Sequence, residues 1–322
     1  MSVEPVESVE PVEPVEPVEV VEPVEVDRKK HIAPGRHVPI PIVMRAKNDM
    51  PLIRKTLEMI RLQNTPYELI AFDNESQDGT RELLEQYAQR VYQVPAGTYI
   101  PGKVLNEAMQ SVDPRAPFVV FLNSDCQPVD SYWLENLLKG FTDTKVGAVF
   151  GRQLPRPDCM PLFFKDTEET FGDGARQKYW KHCFSMASSA IRRSVWEELQ
   201  FSETLQYSED IDWTWRIRQK GWTVQYQEFS QVYHSHNYTR KQFAKRHRGE
   251  GKAEAEIFSW SRWERTFLRY SLLPFLRQIK SDVFYAVTHK SMRMLFSSPG
   301  FRFAQMTGRR KGFKEGIRNR KK

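Results

Sequence analysis

Short apolar runs punctuate the chain between Val38 and His234, and most of them end on a polar turn. Ile40-Pro41-Ile42-Val43-Met44-Arg45 reads as a strand. Pro51, Leu52, Ile53, Leu57, Ile60 and Leu62 then recur at helical spacing, with Asn48 or Asp49 able to cap that helix and Pro51 suited to its first turn. The pattern repeats as strand Tyr67–Phe72, helix Arg81–Gln89, short strand Val91–Val94, helix Pro101–Val112 and strand Phe118–Leu122. Strands alternating with helices of this length predict an α/β fold: a mostly parallel central sheet flanked by helices, with right-handed crossovers. Phe118–Leu122 is apolar throughout, which suits a strand buried on both faces. It stops at Asn123-Ser124-Asp125, so Asp125 lands at a strand's carboxyl end, where an open α/β sheet exposes its ligand crevice.

Beyond Pro128 the pattern predicts a helix over Ser131–Phe141 and a strand over Val146–Arg152, and then the alternation breaks. Gln153–Ser185 is rich in Pro, Gly and charge, with Phe163-Phe164 and Tyr179-Trp180 set in it, and long irregular inserts are commonly functional. Ser185–Ile191 is strand-like, Ser194–Leu199 and Ser208–Lys220 are helical, and Thr223–Tyr226 and Gln231–His234 are two last strands. From Thr239 the chain reads as helical and basic. Residues 2–26 repeat Val-Glu-Pro, a pattern that blocks helix and sheet ladders and predicts an extended, disordered arm.

Charge sharpens this division. The formal net charge is +7, but residues 1–27 hold nine acidic groups and no basic one, so the body carries about +16. A basic body predicts an anionic partner. Three scattered cysteines without a CxxC fit a reduced, cytoplasmic protein. No stretch is long and apolar enough for a spanning helix, and the acidic start does not resemble a signal peptide. No HExxH or CxxC pattern occurs, and the absence of a GxSxG elbow and of a P-loop disfavours serine hydrolase and P-loop NTPase classes.

Several polar residues sit where chemistry is done. Asp125 could hold Mg2+ or Mn2+ against a departing diphosphate, or simply cap the next helix. Asp73 ends the second strand and Asp78-Gly79-Thr80 opens a helix; an Asp there can accept hydrogen bonds from a base or sugar, or serve its own turn. Gly102-Lys103-Val104-Leu105-Asn106 lies at a helix start, where N–H groups and a Lys favour phosphate. Glu209, Asp210 and Asp212 crowd the start of another helix, more acid than dipole compensation requires. Desolvation would let Asp210 act as a general base. Trp213 and Trp215 supply aromatic surface for a sugar ring, with one of the two expected in the core. His234 and His236 fall on one side of a continued strand.

These motifs resemble, in order, those of family 2 glycosyltransferases with the Rossmann-like GT-A fold. The resemblance rests on Ile42–Arg45, Asp73–Thr80, Phe121–Pro128 and Ser208–Trp213, and covers about residues 38–250. Gly151–Pro155 and Tyr233–Thr239 are similar to bacterial enzymes described as rhamnosyltransferases. The resemblance implies a catalytic domain over 38–238, preceded by the arm at 1–37 and followed by a helical basic region at 239–322. It implies that Asp73 and Arg45 bind the nucleotide-sugar base, with Asp78, Lys103, Asn106, Asn123 and Ser124 also on the donor side. It implies that Asp125 binds Mg2+ or Mn2+, that His234 or His236 meets the metal or diphosphate, that Asp210 beside Glu209 is the base, and that Gln153 and Trp213 face the acceptor. The implied reaction is inverting transfer to a cell-surface or lipid-linked glycan. Two departures stand out. Asn123 replaces a carboxylate of the usual DxD motif, and Ser259 stands where processive synthases have Gln in QxxRW, which predicts transfer of single sugars.

The C-terminal region interleaves aromatics with Arg and Lys from Trp263 to Lys280, and residues 300–322 hold nine basic groups against one acid. Such a face can lie in a bilayer interface, placing the protein at the inner side of the cell membrane, or pack on a second copy as a homodimer. Two rival readings use the same residues: nucleic-acid binding by the basic helices, and a catalytically silent scaffold. Acids at 73, 125 and 210 would repel nucleic-acid phosphate, so no nucleic-acid partner is predicted.

Overall fold

A computed structural model describes residues 38–95, 97–174 and 183–320. The Val-Glu-Pro arm and the Tyr179-Trp180 pair lie outside the described residues. Strand β1 (Ile40–Ala46) lies between β2 (Tyr67–Asp73) and β4 (Phe118–Asn123), and β2 is flanked by β3 (Arg90–Gln93), all parallel. The other half of the sheet is mixed. β4 pairs antiparallel with β7 (Ser188–Arg192), which pairs antiparallel with β6 (Val146–Leu154); β6 runs parallel to β8 (Thr223–Tyr233), and two-residue β5 (Gln127–Pro128) closes the edge. The two last strands expected from sequence are one strand, β8, whose register against β6 shifts between Gly151 and Arg152. That irregularity interrupts the alternation that a sequence reading follows.

Side chains of the parallel half divide by period two between two apolar layers. Ile42 and Met44 face one layer with Val120 and Leu122, under α1 (Leu52–Arg61), α2 (Thr80–Tyr87) and α4 (Trp133–Leu138). Val43, Val119 and Phe121 face the other, under α3 (Pro101–Ser111), α6 (Arg193–Glu198) and α7 (Glu209–Gln219). With both faces covered, β1, β2 and β4 bring their carboxyl ends to one edge.

The irregular insert contains a helix, α5 (Pro161–Phe171), with Pro161 in its first turn. α5 ties the sheet to three C-terminal helices, α8 (Arg240–Ile257), α9 (Leu273–Thr288) and α10 (Met292–Asn319). Phe163 of α5 meets Phe243 of α8 and Phe301 of α10 edge-on, with centroids 5.3 and 5.4 Å away. α10 packs tightly along α8: a Cβ on Gly312 would stand 1.8 Å from the Arg248 carbonyl oxygen, and one on Gly308 would stand 2.3 Å from that of Ala244. Part of the basic charge is consumed within this region, Arg309 by Glu254 at 2.7 Å and Arg248 by Glu315 at 2.8 Å.

Candidate active site

β4 ends at Asn123, and the turn that follows places Asp125 between the histidines beyond β8. Asp125 Oδ2 lies 3.5 Å from His234 Nε2 and 3.8 Å from His236 Nε2. Arg156 stands on its other side, donating to the Asp125 carbonyl, with Nη2 3.8 Å from the carboxylate. Burial alone would raise the Asp125 carboxyl; His234, His236 and Arg156 more than offset it and hold it far below the usual carboxylate range. The His234 ring is oriented by Gln153, whose Nε2 donates to Ser185 Oγ at 2.8 Å and whose Oε1 accepts from Nδ1 at 2.6 Å. With Nδ1 held by Gln153, His234 turns Nε2 toward the Asp125 carboxylate. A carboxylate flanked by two imidazole nitrogens is a donor set that suits a divalent cation. Asp125, Cys126 and His234 have ligand atoms within 4.8 Å of one another. Burial pushes the Cys126 thiol well above its ordinary value, so it stays a neutral backing group. The carboxylate and imidazole donors of Asp125, His234 and His236 fit a divalent transition metal such as Mn2+ better than Mg2+, which favours oxygen ligands alone.

The second cluster comes from the start of α7. Glu209 Oε1 accepts from Arg45 Nη1 of β1 at 3.2 Å. Asp210, half-buried, accepts from the N–H of Met186 at 3.2 Å and that of Ile211 at 2.8 Å. Burial, then the neighbouring Glu209 carboxylate, push Asp210 up to about 7, against those N–H groups and Arg45. Asp210, Arg45, Asn123, Gln153, His234 and His236 share one cleft of about 1440 Å³, room for a nucleotide-sugar together with part of an acceptor. Asp125, which the two histidines reach, is not among the residues lining the cleft.

Comparison with known proteins bears on the family and the fold. Residues 42–200 match the model of glycosyl transferase family 2. The chain is 32% identical over 193 residues to the O-antigen chain rhamnosyltransferase WbaN of Salmonella anatum, a match covering 56% of this chain and 60% of WbaN. It is 30% identical over 213 residues to the O-antigen chain rhamnosyltransferase RfbN of Salmonella typhimurium, covering 62% of this chain and 67% of RfbN. The chain belongs to glycosyltransferase family 2. In fold it is similar to the mannosyltransferase PcManGT of Pyrobaculum calidifontis, solved with GDP-Man and Mn2+ (TM-score 0.60, 17% identity, 88% of each chain). Glucosyl-3-phosphoglycerate synthase of Mycobacterium tuberculosis, solved with Mn2+, UDP and phosphoglyceric acid, has a TM-score of 0.51 at 16% identity, over 70% of this chain and 80% of that one. At these identities the likeness is one of fold, and that fold is GT-A.

Within this family 2 chain, some residues expected at the site lie elsewhere. Trp213 is fully buried, its Nε1 donating to the Leu199 carbonyl at 2.6 Å and its ring against Phe201; Trp215, two positions on and so on another side of α7, lines the cleft instead. Asn106 is buried and saturated: Oδ1 accepts from Trp196 Nε1 and the Phe201 N–H, both at 3.0 Å, and Nδ2 donates to Glu203 at 2.9 Å. It joins α3 to the α6–α7 connection and has no capacity left for a donor. Lys103 is half-exposed, 4.0 Å from Glu107 one helical turn on, and does not line the cleft. Asp73 and Asp78 sit at the carboxyl edge but serve their turns. Asp73 accepts from Ser76 N–H at 3.1 Å and Oγ at 2.5 Å, and Asp78 from the N–H groups of Met50 at 2.9 Å and Thr80 at 3.1 Å. Ser124 Oγ donates to Asp49, a carboxylate the sequence reading took only as a cap. Arg156 was likewise missed, because a loop Arg carries no local signal of the carboxylate it will meet.

Proposed function

We propose that the chain is an inverting glycosyltransferase. It moves one sugar from a nucleotide-diphospho-sugar, dTDP-rhamnose or a UDP-sugar, to a hydroxyl of a cell-surface polysaccharide or lipid-linked glycan. The observation that carries the reading is one cleft lined by Glu209 and Asp210 at the start of α7 and by His234 and His236, whose rings reach the Asp125 carboxylate. The names of WbaN and RfbN support rhamnose and an O-antigen acceptor, and both solved neighbours hold Mn2+.

Asp125, His234 and His236 would hold Mg2+ or Mn2+, whose positive charge, when bound, stabilises the departing diphosphate. Arg45 and Arg156 add fixed positive charge on the donor side. Arg45, at the end of β1, meets the base, and Asp73 at the neighbouring strand end holds the turn beside it, with Asn123 and Ser124 beside the diphosphate. Gln153 holds His234, and Trp215 offers an aromatic face to the acceptor sugar. Asp210 takes the proton of the acceptor hydroxyl as its oxygen bonds to the anomeric carbon. The bond to the diphosphate breaks on the opposite face, so the configuration inverts and the negative charge leaves with the nucleotide. Ser259 in place of Gln, and no helix among the described residues long and apolar enough to cross a membrane, fit single transfers.

The test is a screen of dTDP- and UDP-sugars for nucleotide release, with and without divalent cation and a glycan acceptor. One donor is expected to be consumed only when cation and acceptor are present, with product NMR showing inversion. Retention of configuration, or no donor binding by calorimetry with Mn2+ and Mg2+, would overturn the reading.

A further inference from the structure

The outer sides of α9 and α10 reverse the usual pattern of a surface helix. On α9, Leu273, Leu276, Val283, Phe284 and Val287 are exposed, at spacings of three and four that set them on one face with Arg277 and Lys280. The opposite face carries buried Asp282, which accepts from Ser298 and Arg302 of α10. On α10, Met292, Phe296, Pro299 and Phe303 form one exposed stripe, which continues past Thr307 as Lys311, Lys314 and Arg318. The apolar content peaks around the α9–α10 turn, where Phe284 is 72%, Val287 66%, Met292 61% and Phe296 76% exposed. Apolar surface of this extent on a folded protein marks an interaction site.

Charge identifies the occupant. From Arg265 to Lys314 the only acid is Asp282, and it is buried against Arg302. Arg269, Arg277, Lys280, Lys290, Arg293, Lys311 and Lys314 are exposed among the apolar residues, so this side is apolar and basic with no exposed acid in that stretch. Two copies packed through this face by a two-fold axis would set it against itself, cation against cation. An anionic surface with an apolar layer beneath it satisfies both properties at once.

We infer that α9 and the first half of α10 dock the protein on an anionic phospholipid bilayer. Phe284, Val287, Met292 and Phe296 enter the boundary between headgroups and acyl chains, and the flanking Lys and Arg meet the phosphates. Gln278 of α9 and Gln305 of α10, off these exposed stripes, line the cleft, so docking would hold the cleft close to the membrane plane. That is where a lipid-linked glycan presents its hydroxyl. Only this last consequence rests on the transferase reading; the docking itself involves no sugar.

Flotation of the full chain tests the docking without any sugar nucleotide, using vesicles of phosphatidylglycerol with phosphatidylethanolamine and vesicles of phosphatidylcholine alone. Partition onto the anionic vesicles is expected to exceed that onto the neutral ones by about tenfold or more and to weaken at about 0.5 M salt. Phe284→Glu with Phe296→Glu should lower partition onto anionic vesicles by about tenfold or more, at unchanged Tm and nucleotide-sugar binding. Arg277→Glu with Lys280→Glu should lower it several-fold, on anionic vesicles alone. Absence of wild-type partition, or partition indifferent to both double variants, would overturn the inference. So would a concentration-dependent dimer that Phe284→Glu with Phe296→Glu dissolves, because the face would then belong to a second copy. A failed donor screen with intact vesicle binding would sink the transferase reading and leave the docking standing.

Discussion

Two groups of charged side chains are taken out of water in this molecule, and they are partnered in opposite ways. Where α5, α9 and α10 meet, Asp282 accepts from Arg302 Nε at 2.7 Å and Nη2 at 2.9 Å and from Ser298 at 2.7 Å, with Lys165 Nζ 3.1 Å away. Arg302 reaches Asp166 on its far side at 2.6 Å. Burial raises the Asp282 carboxyl, but Arg302, Ser298 and Lys165 more than reverse the shift. In the cleft the accounting is left open. Glu209 and Asp210 stand side by side with Arg45 as their nearby cation, and Asp125 faces His234 and His236 at 3.5 and 3.8 Å, beyond ordinary hydrogen-bond length. A group that satisfies itself holds helices together; one that leaves a demand unmet is waiting for a ligand or a proton. Burial by itself does not tell them apart, since both contain buried carboxylates.

The difference can be broken at each end. The largest effect is expected at Asp210. Asp210→Asn keeps shape and removes the base, so kcat should fall by about 10³-fold while Tm holds or rises. A near-normal kcat would show that the proton goes elsewhere. At the other end, Asp282→Ala leaves Arg302 and Lys165 without their shared carboxylate. Stability should drop by about 3–5 kcal/mol, read by denaturant unfolding, with donor binding nearly unchanged at temperatures where the protein stays folded. Loss of donor affinity without loss of stability would show that this group belongs to the site.

Much of this was legible in the chain. Phe118–Leu122 is apolar until it stops, which delivers Asp125 to the sheet edge whatever the rest of the fold does. His234 and His236 both reach the Asp125 carboxylate, the common side that their i, i+2 spacing predicts. The misses have physical causes. Trp213 and Trp215 differ only in which side of α7 turns to the sheet, and packing from Phe201 decides that. Asn106 lies on the stripe of α3 with Gly102, Leu105 and Met109, so its helical spacing already placed it in the core; its polarity drew the reading to phosphate instead. Lys165 could not be read as buried, because the carboxylate that makes burial tolerable is Asp282, far along the chain. The apolar face of α9 was visible as a pattern, but only the fold shows that it points outward.

The smallest expected effect is also the sharpest probe, because Asp210 gives activity and stability opposite dependences on pH. Its carboxyl is raised to about 7, so it is ionised and able to take the acceptor's proton only once pH has risen through that value. The kcat profile should climb about tenfold from pH 6 to pH 8 and then level, as for a single ionising base. Stability runs the other way. A carboxyl that binds its proton more tightly folded than unfolded favours the folded state most below its ordinary unfolded value, and that benefit is lost as pH rises through about 7. Asp210→Asn removes this titration, so the variant should gain in Tm over the native chain by about 2–4 °C at pH 8 and by less at pH 5. Taking the difference between the two proteins cancels the titration of the remaining groups. If the gain is the same at both values, the Asp210 carboxyl is not raised in the folded protein. The cleft would then resemble the self-neutralised cluster under α9, and the contrast between the two sites would rest on Asp125 and the histidines alone.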